Sequence, residues 1–175
     1  MSAGKSTSVQ LIPLKDEHLE VVRNWRNQNH VRNAMEYQEL ISTQEQKAWF
    51  SNLKHQENKY FVFATSTDLV GLTHLKNITK ETAEAGLFVG NEKYIGTGVA
   101  FYASIELLDL AFFEMKLQKL FAKVNKDNID AIRYNTSLGF SEEKMLNESF
   151  IQLAITKDTY VLKRDKLIKA LLLNK

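Results

Sequence analysis

Cysteine is absent from the 175 residues, which excludes disulfides, thiolate metal sites and a cysteine nucleophile that would carry an acyl group. Proline occurs once, and 44% hydrophobic with 25% charged residues is the profile of a folded chain rather than a disordered one. Charge of one sign is lacking too: 23 Lys plus Arg stand against 21 Asp plus Glu, a formal net charge of +2. With no clustered basic face, nothing points to a nucleic-acid partner. No run approaches the roughly 18 apolar residues of a membrane span, and no apolar stretch follows Met1, so the expectation is a cytoplasmic protein without a membrane partner. Gly4-Lys5-Ser6 imitates the end of a phosphate-binding loop but lacks the strand and the loop residues that must precede it.

The length suits one domain, with residues 1–7 expected as a disordered tail and 8–175 as the folded unit. Val9 to Leu14 reads as a strand, and Lys15 to Asn27 as a helix opened by Asp16, with Leu19, Val22 and Trp25 on one face. A short helical piece around Val31 to Met35 follows. Ser42 and Glu45 then stand in capping-box spacing before a helix to about His55, whose apolar stripe is Ala48, Trp49 and Leu53. The period then changes. Tyr60 to Ala64, Val70 to Ile78 and Thr82 to Val89 predict an antiparallel meander. A loop with two glycines leads into a long apolar helix from Val99 to Met115. Leu120 to Val124 is a further strand, Asn128 to Leu138 a helix stopped at Gly139, and terminal strands run from Phe140 to about Leu162.

Two segments carry chemistry. Gly96 and Gly98 precede the buried helix, where a tight turn, close ligand approach and the free amides of a helix start make an anion site suited to a pyrophosphate. A plain turn is the competing reading of that loop. Asn128, Ala131 and Leu138-Gly139-Phe140 form the second segment, which by itself reads as a capped helix with a glycine stop.

Taken together, Lys93-x-x-Gly96-x-Gly98 and the Asn128-to-Phe140 segment resemble the two coenzyme-A segments of the GNAT superfamily over roughly residues 8 to 164, although Arg or Gln is usual where Lys93 stands. The resemblance implies an α+β (mixed α/β) acyl-CoA N-acyltransferase fold, a splayed mixed sheet of about seven strands flanked by helices. It implies acetyl-CoA as co-substrate, lying between the fourth and fifth strands, and no metal. The pyrophosphate would meet Lys93, Tyr94, Ile95, Gly96, Thr97, Gly98 and Val99, with Asn128 and Ala131 completing the cofactor side. Asn128 would bond the pantetheine, help place the acceptor, or simply cap its helix. Glu84 sits where relatives place a carboxylate that deprotonates the amine directly or through water, while an alternating strand equally puts a glutamate on its wet face. The family's tyrosine acid falls at Asn135, with Tyr134 one step, or about 100°, earlier on the helix. With no cysteine, acetyl passes directly to the amine.

The front section, Val22-Arg23-Asn24-Trp25-Arg26-Asn27, His30-Val31-Arg32, Met35 and Ile41-Ser42 with Trp49, is similar to that of acetyltransferases acting on a UDP-linked 4-amino-4,6-dideoxy sugar of the pseudaminic acid pathway. Gln46 departs from the histidine usual before the tryptophan. This implies a small-molecule amine partner, a nucleotide-linked amino sugar. Arg26 and Arg32 would pair with its diphosphate, and Trp49 or Tyr37 would stack on base or sugar. Surface ion pairs for the arginines and core packing for Trp25 and Trp49 are the plainer readings. Ribosomal-protein N-terminal and spermidine acetyltransferases share parts of this section, and a non-catalytic acetyl-CoA-binding or interaction module is a further alternative. A homodimer is left open.

Overall fold

The computed structural model describes residues 9–173, so the expected tail at 1–7 lies outside the described residues. Seven strands form one sheet in the order β1-β2-β3-β4-β5-β7-β6: β1 Gln10–Pro13, β2 Lys59–Ala64, β3 Leu69–Lys76, β4 Thr82–Val89, β5 Lys119–Asn125, β6 Ser141–Met145 and β7 Phe150–Thr156. β1 to β4 are antiparallel neighbours, the expected meander, and β5, β7 and β6 are antiparallel as well. Only β4 and β5 run parallel, and their ladder is short: Thr82, Ala83 and Glu84 face Lys119, Leu120 and Phe121. Beyond Glu84 the two strands part, although β4 stays paired to β3 as far as Val89 and β5 to β7 as far as Asn125.

Alternation along the strands assigns each face its helices. On the back, Leu75, Ala83, Ala85, Leu120, Ala122, Val124, Leu153 and Ile155 pack with Leu107, Leu108, Ala111 and Phe112 of α4 (Val99–Asp109) and the π-helical turn Leu110–Glu114 that continues it. Leu138 of α5 (Ile129–Leu138) and Tyr160 of α6 (Lys157–Leu173) complete this core. On the front, Val62 and Leu72 receive Leu19, Val22 and Trp25 of α1 (Leu19–Asn27). Two further front helices follow, α2 (Asn29–Arg32) and α3 (Thr43–Ser51). The predicted α1 face is therefore the buried one, and the Ser42 and Glu45 capping box closes as expected, with Ser42 Oγ accepting the Glu45 amide at 3.2 Å and Glu45 Oε2 accepting the Ser42 amide at 2.7 Å.

Four local expectations are corrected. Lys15, rather than Asp16, precedes the first turn, a 3-10 turn at Asp16–His18 in which the Lys15 amide donates to His18 Nδ1. The second short helix runs Asn29–Arg32 rather than to Met35. α3 ends at Ser51 and turns Gln46 inward, while Ala48 is exposed, because the helix faces the front core with Trp49 and Phe50 and the neighbouring pocket with Gln46. The terminal strands stop at Thr156, where Thr156 Oγ1 accepts the Thr159 amide and starts α6. Asp109 ties α6 to α4: it accepts Arg164 Nε at 2.7 Å and Nη2 at 2.6 Å, and the Tyr160 hydroxyl at 2.7 Å. This forked pair raises the Arg164 pKa above its ordinary value.

Phe112 has no exposed surface, so Phe112→Ala is expected to cost about 3–5 kcal/mol in urea unfolding. Leu162→Ala, at a side chain 79% exposed, is expected to cost less than about 0.5 kcal/mol. Equal losses for the two would contradict this placement of the core.

Candidate active site

The parting of β4 and β5 is a slot in the middle of the sheet, and the loop after β4 stands at its open end. Gly96 and Gly98 adopt φ of 75° and 79°, the left-handed region that side chains with a Cβ enter only at a cost. A Cβ at either position would meet nothing within 4 Å, so the space beside them is open to a ligand. Gly98 caps α4 without a side-chain bond, and the first turn of α4 has no acidic residue. Among the described residues the amides of Gly96, Gly98, Val99 and Ala100 have no backbone acceptor, whereas Ile95 donates to the Glu92 carbonyl and Thr97 to the Tyr94 carbonyl. Four free amides at the positive end of an 11-residue helix make an anion site, narrower than the expected span from Ile95 to Val99.

The loop is fastened from its other side. Asp68 accepts the Tyr94 hydroxyl at 2.5 Å, Thr67 Oγ1 at 2.8 Å and Lys93 Nζ at 3.1 Å, and these bonds, led by Tyr94, bring its carboxyl down to about 2. A carboxyl lowered in the folded state holds the tether above the ordinary carboxylate range and loses it as pH falls toward 2. Lys93 and Tyr94 thus brace the loop. Asn128 Oδ1 accepts the Ala131 amide at 3.0 Å, the plain cap weighed from sequence.

A second cavity, of about 390 Å³, lies on the front face, walled by Arg26 of α1, Gln46 and Trp49 of α3, Tyr60 of β2, and His74 and Lys76 of β3. Strand register explains the company: Tyr60 lies opposite His74 and His74 opposite Gly86, with Lys76 opposite Glu84 in the next row. Tyr60 is bracketed by aromatic rings, Trp49 edge-on at 4.9 Å and His74 at 5.3 Å. Gly86 is where the His74 ring closes over β4, since a Cβ there would fall 2.5 Å from Cε1. Met35, Tyr37 and Ile41, from the loop between α2 and α3, complete the wall. That loop also reaches the far bank of the slot, where Lys123 Nζ of β5 lies 2.6 Å from Glu36 Oε2.

The charges in this pocket are unequally matched. Glu84 Oε1 lies 2.8 Å from Lys76 Nζ, and Glu45 at the rim is held by Ser42. Among the described residues Arg26 has no carboxylate partner and its Nη1 is buried without a hydrogen bond; burial lowers its pKa. Burial, then Lys76 and Arg26, bring His74 down to about 3, which keeps its imidazole neutral. Burial and the Glu84 charge push the Tyr60 phenol up to about 12, with Arg26 pulling the other way.

The structure thus brings Arg26, Trp49 and Tyr37 together and sets Arg32 apart, its Nη2 donating to Asn29 Oδ1 at 3.0 Å outside the pocket wall. Tyr134 faces α4, donating to the Ala100 carbonyl at 2.8 Å and sharing a 2.6 Å bond with Ser104 Oγ. Asn135 folds back on its own helix, donating to the Ala131 carbonyl at 2.8 Å. Tyr60, His74 and Lys76 escaped the sequence reading because only cross-strand register assembles them. Gln46, read as a departure, is 5% exposed and lines the pocket. Among the described residues no group of three or more His, Asp or Glu is placed to hold a metal ion, and no helix is long and apolar enough to cross a membrane.

Gly98→Val would force a β-branched residue to positive φ in the open space beside the four amides. It is expected to weaken acetyl-CoA binding at least about tenfold by calorimetry with the far-UV spectrum unchanged. Wild-type affinity in the folded variant would place the pyrophosphate elsewhere.

Comparison with known proteins agrees with this geometry. A family model described as an acetyltransferase (GNAT) domain matches residues 8–141. Acetyltransferase PseH of Campylobacter jejuni (strain 81-176) is 29% identical over 122 residues, 69% of this chain and 74% of that protein. Spermidine N(1)-acetyltransferase of Escherichia coli K12 is also 29% identical, over 150 residues, 82% of this chain and 79% of that protein. Spermidine N-acetyltransferase from Vibrio cholerae, solved in complex with CoA and spermine, shares the fold with a TM-score of 0.81 at 21% identity, over 89% of this chain and 99% of that one. The chain belongs to the GNAT acetyltransferase family and is an N-acetyltransferase that uses acetyl-CoA.

Proposed function

We propose that the acceptor is the free amine of a UDP-linked 4-amino-4,6-dideoxy sugar, acetylated directly within a ternary complex. The observation that carries this reading is the buried Arg26 Nη1, without a hydrogen-bond partner among the described residues, in a pocket whose neighbouring carboxylates Glu84 and Glu45 are engaged by Lys76 and Ser42. A buried donor without an acceptor calls for a ligand rich in oxygen, such as a sugar with its N-acyl group, whereas a polyamine calls for free carboxylates. A pocket of about 390 Å³ suits a sugar ring and its substituents, leaving the nucleotide toward the exposed rim at Tyr37. Arg26 then meets the sugar, and Arg32 has no part in that pocket. Support also comes from the similarity to PseH. A polyamine acceptor is the second reading, favoured by an equal identity to the Escherichia coli spermidine enzyme over a longer stretch.

In this mechanism the amides from Gly96 to Ala100 hold the pyrophosphate and the slot orients the thioester toward Glu84 and Gly86. The amine nitrogen forms the new bond to the carbonyl carbon as the carbon–sulfur bond breaks. Glu84 takes the departing N–H proton directly or through water, and the thiolate gains a proton. Tyr134 and Asn135, each bonded elsewhere, serve α5 packing in this reading, which leaves water to protonate the sulfur.

Steady-state assays with the UDP-amino sugar, spermidine and an alanine-initiated peptide should show turnover of the first at least about 100-fold above the others. Efficient turnover of either of the others, with none of the first, contradicts the sugar reading. Glu84→Gln is expected to lower kcat about 100-fold, with the deepest loss at low pH. An unimpaired variant removes Glu84 from the proton path, and ping-pong kinetics would contradict direct transfer.

A further inference from the structure

We infer that Tyr134 is a positioning residue for the coenzyme: its hydroxyl holds the first turn of α4 against α5 and keeps the amides from Gly98 to Ala100 aligned for the pyrophosphate. The inference rests on the reading of those amides as the pyrophosphate site. A helix start is ordinarily steadied by a side chain at its cap, which accepts an amide of the first turn. Gly98 supplies no such side chain, and any cap there would occupy the donors that a phosphate needs. Gly96 and Gly98, both at positive φ, add backbone freedom just ahead of the helix. The first turn of α4 therefore has to be held without using its amides.

Tyr134 holds it at a carbonyl instead. Its hydroxyl donates to the Ala100 carbonyl at 2.8 Å and lies 2.6 Å from Ser104 Oγ, one turn further along α4. A phenol has a single O–H proton, and Ala100 receives it, so the serine hydroxyl is the donor in the second bond. The tyrosine ring packs on Phe101 with centroids 4.6 Å apart, so residues 100, 101 and 104 of α4 all meet one side chain of α5. α5 is a fixed base for this contact. Asn128 Oδ1 caps its start at the Ala131 amide at 3.0 Å, and Leu138 at its other end is buried in the back core. The same proton count separates Tyr134 from the sulfur, because an O–H committed to a backbone carbonyl has no second hydrogen for a thiolate. The two segments read as coenzyme-A segments are thereby joined: the second carries the side chain that steadies the first.

The test uses the full chain carrying Tyr134→Phe, which keeps the ring on Phe101 and removes both bonds. Acetyl-CoA affinity by calorimetry should weaken about tenfold, the effect of one or two lost hydrogen bonds. With whichever of the UDP-amino sugar, spermidine and the peptide is acetylated, the acetyl-CoA KM should rise by the same factor, while kcat at saturating acetyl-CoA and the acceptor KM stay within about twofold and the pH profile of kcat keeps its shape. Ser104→Ala leaves the bond to Ala100 in place and should weaken acetyl-CoA by about threefold. Unchanged acetyl-CoA affinity in Tyr134→Phe overturns the inference, as does unchanged affinity in Ser104→Ala should the phenylalanine variant not fold. A kcat loss of about tenfold or more with affinity kept would make the phenol the acid, and equal rises in both KM values would reduce it to packing; either result overturns the positioning role. Gly98→Val in the same titration separates the failures. Wild-type affinity there overturns the pyrophosphate site itself, whereas a weakened Gly98→Val beside an unaffected Tyr134→Phe overturns only the role of Tyr134.

Discussion

Strands β4 and β5 share three paired positions and then separate, and the rest of the site follows from that gap. Backbone N–H and C=O groups at a strand edge inside a protein must bond to something, and each one left bare costs about 1–3 kcal/mol. Past Glu84 neither strand has the other as partner, so an extended ligand with amides of its own can complete the ladder from within the slot. The pantetheine arm of coenzyme A has that form. In the proposed binding mode its pyrophosphate would meet the start of α4, which among the described residues carries four amides without a backbone acceptor, no capping side chain and no acidic residue in the first turn.

The acceptor pocket is built on the opposite principle. Where the slot presents neutral backbone, the front pocket presents charged side chains: Lys76 pairs with Glu84, while among the described residues Arg26 has no ion-pair partner and its Nη1 no hydrogen-bond partner. Lys123 and Glu36 join the loop between α2 and α3, which contributes to the front pocket, to β5.

Features fixed by short stretches of chain were legible from sequence. The Ser42 and Glu45 capping box, the Gly96 and Gly98 turn and the Asn128 cap each lie within a few residues, and each closes as its spacing implies. The meander was legible because alternation of period two is local to every strand. What depends on register or helix phase was not. Tyr60, His74 and Glu84 are far apart in sequence and meet only through ladder offsets, and Tyr134 turns toward Ser104 because one residue rotates a helical side chain to another face. The first turns of α6, to Leu162, were misread as strand because Tyr160, Val161 and Leu162 come only a few residues after β7 ends at Thr156, although the Thr156 and Thr159 cap marked the helix start. Arg26 was named from sequence as a substrate contact; that it lines the front pocket and leaves Nη1 without a hydrogen-bond partner belongs to three dimensions.

The central claim is that coenzyme A occupies the slot between β4 and β5 with its pyrophosphate on the α4 amides. Backbone amide NMR of the chain, followed as acetyl-CoA is added, reads this directly. The account predicts that the largest shifts fall on Gly96, Gly98, Val99 and Ala100 and on the β4 residues Ala85 to Val89, with the front helices little changed. Shifts confined to α1, α3 and the β2–β3 face, with those four amides unmoved, would contradict it.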